Sequence, residues 1–467
     1  MNSSKNLIAL AVGAAFGGFT SVASGGGFAL IEQNASGIGN AYAGQAATAQ
    51  DASTIYFNPA GMTLLPGRQA VSALHAIKPS AEFTNTGSTT AFTFFGAPPG
   101  AALPLGGNGG DAGDWAFVPN AYLSWQLSPR WFVGVGLNAP FGLKTEYDSG
   151  WVGRFHGLES EIKTININPS VAFKVNEAVS LGAGFSFQRA QAKLTRATNY
   201  AAAASLLLGS GAVPAPLVPA VAAVAANPAQ EGTVKLDGND NSWGYNFGAL
   251  FSIYKNTRIG IAYRSSVEQR LSGNVSFQGR PAALAPFQPD GPITAEIELP
   301  ATASWSIFHP INSQRELMGD ITWTQWSDVK TVPVIRSNSG ATLETLTLNF
   351  KDTWRVSAGA NYHMNSAWTV RFGVAFDQGA APDAERTPRI PDEDRTWLAL
   401  GAQYRMSKQA VVDVGFAHLF IKDPTVNLCP GTASVNPLNT ACRGRNNLRG
   451  TYESNVNILS AQLRYSF

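Results

Sequence analysis

The chain ends in LSAQLRYSF, Leu459–Phe467, where apolar residues alternate strictly with small or polar ones. A period of two places successive side chains on opposite faces of a β-strand. The same alternation recurs in the segments that begin at Trp354, Trp368 and Leu398. The pattern therefore predicts an all-β protein whose strands each have one apolar face and one polar face.

The apolar faces could point into the core of a soluble sandwich or out into a lipid bilayer. Aromatic residues stand at the ends of these faces, at Trp354, Tyr362, Trp368 and Phe376, as the interfacial girdles of a membrane barrel require. The polar faces carry many glycines and isolated arginines, which suits a lumen better than a water-exposed exterior. The terminal Phe467 closes an apolar stripe, as in bacterial outer-membrane barrels. We therefore predict a transmembrane antiparallel β-barrel.

The composition agrees with a lipid-facing surface. Only 14% of the 467 residues are charged, against about 25% in ordinary soluble domains. The 33 Lys and Arg nearly balance the 31 Asp and Glu, so the chain lacks the basic excess of a nucleic-acid-binding protein. Aromatic residues make up 10% of the chain, which argues against disorder.

The joins between candidate strands alternate between short and long, the rhythm of periplasmic turns and extracellular loops. This spacing predicts an even number of strands, about 14. The candidate strands lie near 68–84, 116–127, 131–141, 160–175, 178–196, 233–254, 257–277, 293–308, 314–330, 345–363, 367–377, 394–406, 409–421 and 452–467.

The N-terminus indicates export. Lys5 precedes an apolar run from Leu7 to Phe19, and small residues follow, so residues 1–24 read as a cleaved secretory signal peptide. The alternative is an uncleaved anchor, but the run is shorter than the roughly 20 residues that a membrane span needs. In an exported protein the two cysteines, Cys429 and Cys442, are expected to form a disulfide within a polar loop.

Residues 25–66 separate the signal from a barrel that we place at 67–467. The stretch from Gly27 to Gly61 lacks the two-residue period, yet it is too rich in aromatic and aliphatic residues for a disordered tail. Because about 14 strands leave a lumen wider than side chains can fill, we predict a hatch, a plug folded inside the barrel. A periplasmic extension is the alternative.

This segment resembles the N-terminal hatch of the FadL-type outer-membrane transporters of long-chain fatty acids and other hydrophobic compounds. The resemblance includes Asn58-Pro59-Ala60, which is similar to the family's NPA motif, and it extends along essentially the whole chain. Further counterparts are Gly142–Tyr147, Leu236–Asn239, Tyr263–Ser265, Phe350–Asp352 and Ile390–Arg395.

The resemblance implies roles for several residues. Phe28 matches an aromatic residue that reaches into the ligand pocket; packing within the plug is the alternative. The family's NPA motif lies against a kinked third strand, where the wall opens sideways; an ordinary turn is the alternative. Pro140 and Gly142 match that kink, and both residue types weaken a strand, although a plain strand end would also explain them.

Arg196 corresponds to a basic residue that faces the ligand's head group in fatty-acid transporters, and a structural ion pair is the alternative. Where those members carry a second basic residue, this chain has Leu346, which favours a less charged ligand.

The stretch Ala201–Ala226 is apolar and interrupted by three prolines, and it falls in a long outer loop. The resemblance implies a weak docking groove there, with a disordered low-complexity loop as the alternative. The candidate residues are Leu206, Leu207, Leu208, Leu217, Val218 and Val221.

Catalytic signatures are missing: the five histidines are scattered, and no HExxH, GxSxG or Walker motif occurs. We expect no enzyme activity, no cofactor and no metal. The expected function is import of a hydrophobic ligand, foremost long-chain fatty acids, by ligand-gated passive diffusion with lateral release through the wall. Uncharged aromatic or aliphatic hydrocarbons are the alternative ligands, and a general pore or adhesin is the alternative of another class. The expected partners are the ligand, outer-membrane lipids and lipopolysaccharide, with a monomer as the working unit and no nucleic acid.

Overall fold

The computed structural model describes residues 26–89, 105–254, 257–430, 442 and 444–467. The predicted signal peptide, 1–24, lies outside the described residues. In the described part of the chain, twenty strand segments form one antiparallel sheet. The last strand pairs with the first, from Gln69↔Ser466 to Asn85↔Gly450, and so closes the sheet into a barrel.

The strand segments are β1 Arg68–Asn85, β2 Ala116–Gln126, β3 Trp131–Asn138, β4 Gly142–Glu146, β5 Glu159–Lys174, β6 Val179–Asn199, β7 Glu231–Ser252, β8 Arg258–Arg264, β9 Val267–Gln278, β10 Gly291–Leu299, β11 Thr302–Pro310, β12 Arg315–Thr324, β13 Thr331–Arg336, β14 Thr342–Thr347, β15 Thr353–His363, β16 Trp368–Asp377, β17 Arg395–Arg405, β18 Ala410–Ile421, β19 Thr425–Leu428 and β20 Leu448–Ser466. The α-helices are α1 Ala35–Ile38, α2 Gln45–Thr48, α3 Thr54–Phe57, α4 Tyr200–Gly209 and α5 Val218–Ala225. Short 3₁₀ helices span Pro59–Leu64, Ala215–Leu217, Ala282–Leu284 and Trp326–Asp328. In the described residues, no helix has both the length and the hydrophobicity needed to cross a membrane.

These segments make a wall of 14 strands, because six strands of the wall are each broken into two segments within the described residues. The barrel confirms the prediction from the alternating side chains. Its 14 strands confirm the number predicted from the succession of short and long joins. The sequence pattern did not reveal the breaks: it predicted continuous strands over 257–277 and 293–308, where the structure has interruptions at Ser265 and at Pro300. Pro300 has no backbone N–H to donate to the strand ladder, which explains the break there.

A loop was expected over 142–159, but Gly142–Glu146 forms strand β4, which pairs with β5.

The outer face of the wall is apolar. Along β16 and β17 the side chains of Phe372 and Leu400 are 51% and 55% exposed, whereas their neighbours Arg371 and Ala399 are buried inside the barrel. Exposed tryptophans and tyrosines flank this apolar surface, for example Trp368. This is the surface that the low charge content predicted.

The segment from Gly26 to Leu65 fills the lumen, and none of its residues is exposed. We call this segment the hatch. Its main-chain carbonyl oxygens accept hydrogen bonds from arginines on the inner face of the wall, so the isolated arginines of the polar faces hold the hatch. These contacts are Arg258 to Thr48 (2.9 Å), Arg264 to Tyr56 (2.9 Å), Arg355 to Ala41 (2.6 Å) and Arg464 to Gln50 (2.6 Å).

Candidate functional site

A cavity of about 800 Å³ lies between the hatch and the long loops. Phe28, in the hatch, forms part of its lining at one end, and strands β5 to β14 supply mostly aliphatic side chains around it. Loop residues, among them Thr387 and Arg389, line the other end. A cavity of this size and character suits a hydrophobic small molecule.

An aromatic cluster forms the floor of the cavity. The ring of Phe28 packs edge-on against Trp326 at 4.7 Å between centroids and against Phe141 at 6.0 Å. Gly27 precedes it with a φ of +65°, and a Cβ there would lie 2.7 Å from the Trp326 ring. Only glycine fits this backbone and this contact, so Gly27 fixes the position of Phe28. The structure thus packs Phe28 against two aromatic residues outside the hatch and places it in the lining of the cavity.

The wall is incomplete beside this floor. Pairing between β2 and β3 ends at Ala121↔Leu137, and the remaining residues of β2, Ala116–Asn120, pair only with β1. The chain turns away at Ala139–Phe141 before it resumes as β4. The predicted kink at Pro140 and Gly142 therefore coincides with a gap in the hydrogen-bonded wall.

The hatch fills this gap. Leu30 N donates to Pro140 O at 2.9 Å, and Gly142 N donates to Phe28 O at 3.0 Å, which makes a short antiparallel bridge between Ala29 and Phe141. On the β2 side, the Asn120 side-chain amide donates to Glu32 O at 2.8 Å. Hatch residues thus take the place of a missing piece of the wall.

The NPA motif also contacts two further strands of the wall, β6 and β7. Asn58 Nδ2 donates to Ala249 O of β7 at 3.0 Å, and a Cβ at Gly248 would lie 1.9 Å from Asn58 Oδ1. A Cβ at Gly182 of β6 would lie 2.3 Å from Ala60 N. Pro59 begins a 3₁₀ helix that lies on β6 and β7 and also reaches β3, where a Cβ at Gly134 would lie 2.8 Å from Met62 Sδ. The placement of the motif beside the kinked third strand stays a prediction.

A buried charged cluster lies above the cavity, beyond the apolar outer belt. The Glu344 carboxylate bonds to two guanidinium groups, Arg196 at 3.2 Å and Arg445. Burial alone would raise the pKa of Glu344, but the charges of Arg445 and Arg196 hold that pKa well below its ordinary value. Arg196 is therefore engaged in an ion pair, whereas Arg445 both joins the pair and lines the cavity.

Arg389 has hydrogen-bond partners of a different kind. Its guanidinium donates to neutral oxygens, Ser160 Oγ at 2.9 Å and Glu159 O at 3.2 Å, and no carboxylate of the described residues forms a salt bridge with it. Burial lowers the Arg389 pKa to about 10, so the group stays protonated at neutral pH. His156 also lines the cavity, and its burial lowers the imidazole pKa to about 3, so it is neutral there.

Sequence reasoning identified Arg196 and Leu346 in this region but missed Arg389 and Arg445. Leu346 lines the cavity as an aliphatic side chain, in keeping with the absence of a second basic residue at that position. Arg389 directly precedes the Ile390–Arg395 motif in a long loop, and that proximity was the one available signal. Neither arginine lies in a strand, so no alternation of side chains indicates that it faces the lumen.

The proline-interrupted outer segment is helical, not irregular. Helices α4 and α5 pack against each other and enclose Val221, which is fully buried. Pro219 stands in the first turn of α5, where a proline is tolerated. Leu207, Leu208 and Leu217 pack at the border of this cluster, Leu206 packs in a neighbouring one, and Val218 is 39% exposed. Val221 thus stabilises the helix pair, and the other five candidates are at least partly accessible.

The disulfide predicted from the sequence is present. Cys429 and Cys442 are bonded, with their Cα atoms 5.3 Å apart, and both residues line the cavity near its outer end. Among the described residues, no group of three or more His, Cys, Asp and Glu side chains is arranged to hold a metal ion.

Comparison with known proteins places the chain. Residues 18–467 match the family model described as outer membrane protein transport protein (OMPP1/FadL/TodX). The chain is 35% identical over 406 residues to the 47 kDa outer membrane protein of Pasteurella multocida, covering 85% of this chain and 88% of that one. It is 30% identical over 418 residues to the long-chain fatty acid transport protein of Escherichia coli O157:H7, covering 86% and 90%.

Solved structures agree in fold. A Pseudomonas aeruginosa FadL homologue superposes with a TM-score of 0.82 at 25% identity, covering 94% of this chain and all of that one. The Pseudomonas putida toluene transporter TodX superposes with a TM-score of 0.65 at 18% identity, covering 94% and 99%. Two of these four proteins are named for transport, and none is named as an enzyme. The whole-length match, the closed barrel and the apolar outer face together show that the chain belongs to the FadL/TodX family of bacterial outer-membrane transport proteins.

Proposed function

We propose that this protein imports long-chain fatty acids across the outer membrane and holds the carboxylate at Arg389 and Arg445. One observation carries the proposal: Arg389 is a buried, protonated guanidinium without a carboxylate partner in the described residues, at the edge of an apolar cavity. A buried charge is costly unless it is paired, so an anionic head group supplies what the site lacks.

The remainder of the ligand fits the rest of the cavity. Burial of an alkyl chain contributes about 0.8 kcal/mol per CH₂, and the aliphatic lining of β9, β10 and β14 accepts such a chain. The name of the Escherichia coli relative, a long-chain fatty acid transport protein, points in the same direction.

The route that we propose has three steps. The accessible apolar residues of the α4–α5 helix pair capture the ligand, the cavity then holds it, and displacement of Phe28 loosens the hatch. The bridge between Ala29 and Phe141 then opens, and the ligand leaves sideways through the gap between β2 and β3 into the bilayer. The gap, and the hatch residues that bridge it, support this route. Diffusion drives the transport, and a monomer surrounded by outer-membrane lipids and lipopolysaccharide is the working unit.

The charge at Arg389 gives the decisive experiment. Arg389→Gln should weaken oleate binding by about tenfold or more, the effect of losing a charge-assisted hydrogen bond, and should leave methyl oleate binding unchanged. Arg189→Gln is the matched control, because Arg189 is exposed on β6. Equal affinity of wild type and Arg389→Gln for oleate would refute the head-group assignment.

Leu346 and the aliphatic lining favour one second candidate, uptake of uncharged hydrocarbons. In that case toluene or a long alkane would bind the wild type at least as tightly as oleate does. Arg389→Gln would then change neither the hydrocarbon affinity nor the oleate affinity. A general pore is a weaker candidate, because the hatch fills the lumen. A large steady single-channel current from the wild type would favour it.

A further inference from the structure

Gln269 is a polar side chain without a partner in an apolar part of the cavity. It is the third residue of β9, it is fully buried, and it lines the cavity. Neither its amide nitrogen nor its amide oxygen has a hydrogen-bond partner among the described residues. A buried amide is ordinarily bonded, so a pair of unbonded atoms in one side chain needs an explanation.

The side chains around Gln269 do not explain why its amide is unbonded. Val267 and Leu271 flank it on the same face of β9, and Ile297 lies opposite in the register of β10. All three side chains are aliphatic. In purely structural terms a leucine or methionine would suit this position better, because it would avoid burying an unpaired amide.

Gln269 lies at the end of the cavity remote from the charged cluster. Val267, two residues earlier, belongs to the aromatic floor with Phe28. Ser160, which accepts from Arg389, is the second residue of β5 at the loop end of the barrel. Across the sheet, Ser160 aligns through Leu194 and Leu236 with Val275 of β9.

Val275 is six residues along the strand from Gln269. At the rise of an extended strand this corresponds to a separation on the order of 20 Å between the head-group end and the Gln269 amide.

From these positions we propose that Gln269 is a second polar subsite, which binds a hydroxyl group in the distal half of the ligand's chain. The amide can accept from the hydroxyl hydrogen and donate to the hydroxyl oxygen, so one hydroxyl satisfies both unbonded atoms. A few placed polar groups in an apolar pocket determine specificity, because a ligand without the matching group leaves them unpaired. The cavity is thus selective for ω-hydroxylated chains over unsubstituted ones. This inference rests on the proposed function, since it takes the head group to bind at Arg389.

Ligand binding to the full-length purified protein tests the subsite. The ligands are palmitic acid, ω-hydroxypalmitic acid and α-hydroxypalmitic acid, whose hydroxyl lies beside the carboxylate. The wild type should prefer the ω-hydroxy acid to palmitic acid by about tenfold and show no preference for the α-hydroxy acid. Gln269→Met keeps the length of the side chain and should abolish the preference. Gln278→Leu, an exposed position on the same strand, should retain it.

Two results would overturn the inference: a wild type that binds both acids equally, or a Gln269→Met variant that keeps the wild-type preference. Gln269→Leu serves as a second variant if the first does not fold, and heat-modifiable electrophoretic mobility reports folding. The methyl esters of the same three acids carry no carboxylate, so their binding does not depend on a contact with Arg389. A preference for the ω-hydroxy ester that depends on Gln269 would support the subsite even if Arg389→Gln fails to weaken oleate binding, so the two proposals fail separately.

Discussion

The amide nitrogen of Gly142 donates a hydrogen bond to the carbonyl oxygen of Phe28, with the two atoms 3.0 Å apart. This bond joins the residue at the cavity floor to the strand that resumes after the break in the wall. Movement of Phe28 is therefore mechanically tied to the gap between β2 and β3. The cavity and the gap share one element, the segment from Phe28 to Leu30.

A cross-link across this bridge should block uptake. Ala29 and Phe141 face each other in a non-hydrogen-bonded antiparallel pair, a geometry compatible with a disulfide. We expect the double variant Ala29→Cys/Phe141→Cys to lose fatty-acid uptake when oxidised and to recover it after reduction. The single variants and the wild type, which keeps its own Cys429–Cys442 bond, control for the reductant. Normal uptake by the fully oxidised double variant would exclude lateral release through this gap.

Removing the charge of Glu344 should strengthen the binding of anionic ligands. Glu344 is the carboxylate that neutralises part of the charge of Arg196 and Arg445. Without it, Arg445 is free to bind a ligand carboxylate, so Glu344→Gln should raise oleate affinity severalfold, the range of a charged hydrogen bond. Glu268→Gln, at an exposed position, is the control. Weaker oleate binding by Glu344→Gln in a folded barrel would show that the ion pair positions the site.

Oleate affinity should be nearly independent of pH between about 6 and 9, a window set by the shifted pKa values. Burial keeps His156 neutral, since its pKa is lowered to about 3, and Arg389 stays protonated until pH approaches its lowered pKa of about 10. Affinity should then fall as Arg389 loses its proton. If affinity instead fell as pH rose through about 6.5, the ordinary pKa of histidine, a protonated His156 would be the head-group contact.

Because His156 is buried in its neutral form, the thermal stability of the protein should depend on pH. Its pKa is lower in the folded protein than in the unfolded chain, so its stabilising effect is complete above about 6.5 and is lost as pH falls towards 3. His156→Asn lacks this titration and should show a weaker loss of thermal stability over that interval. An identical pH dependence in both proteins would mean that other groups control acid unfolding.

The seating of the hatch can be tested at Gly248. A side chain there would collide with Asn58 Oδ1, only 1.9 Å from the Cβ position. We expect Gly248→Val to destabilise the plugged state by about 1–3 kcal/mol, the usual cost of overpacking, and to raise single-channel conductance. Gly238→Ala on the same strand is the control, because its nearest neighbour lies at 3.4 Å. An unchanged conductance in Gly248→Val would show that the hatch does not depend on the NPA contact.

The wall could be predicted in some detail, and the breaks in it could not. Alternation in segments such as Trp368–Phe376 specifies a strand and its two faces, because the period of two is a local property of extended backbone. The interruption at Ser265 leaves no mark in the alternation and could not be predicted from it. The NPA motif was recognised by resemblance as part of the hatch, but its contacts with β6 and β7 could not be predicted, because a turn motif carries no information about what it contacts.

By itself, the sequence determined the barrel, its strand number and the disulfide pairing, and it predicted the export signal and the hatch segment. All of these follow from local periodicity, composition or residue counts. The tertiary structure alone decided the binding site, because its residues are distant in the chain: Arg389 meets Ser160 across 229 positions. It also decided that Arg196 forms a salt bridge with Glu344 while Arg389 forms none within the described residues, and that Gln269 faces an apolar cavity with both amide atoms unbonded there. Charge pairing and burial depend on which neighbours the fold brings together, and no local pattern encodes them.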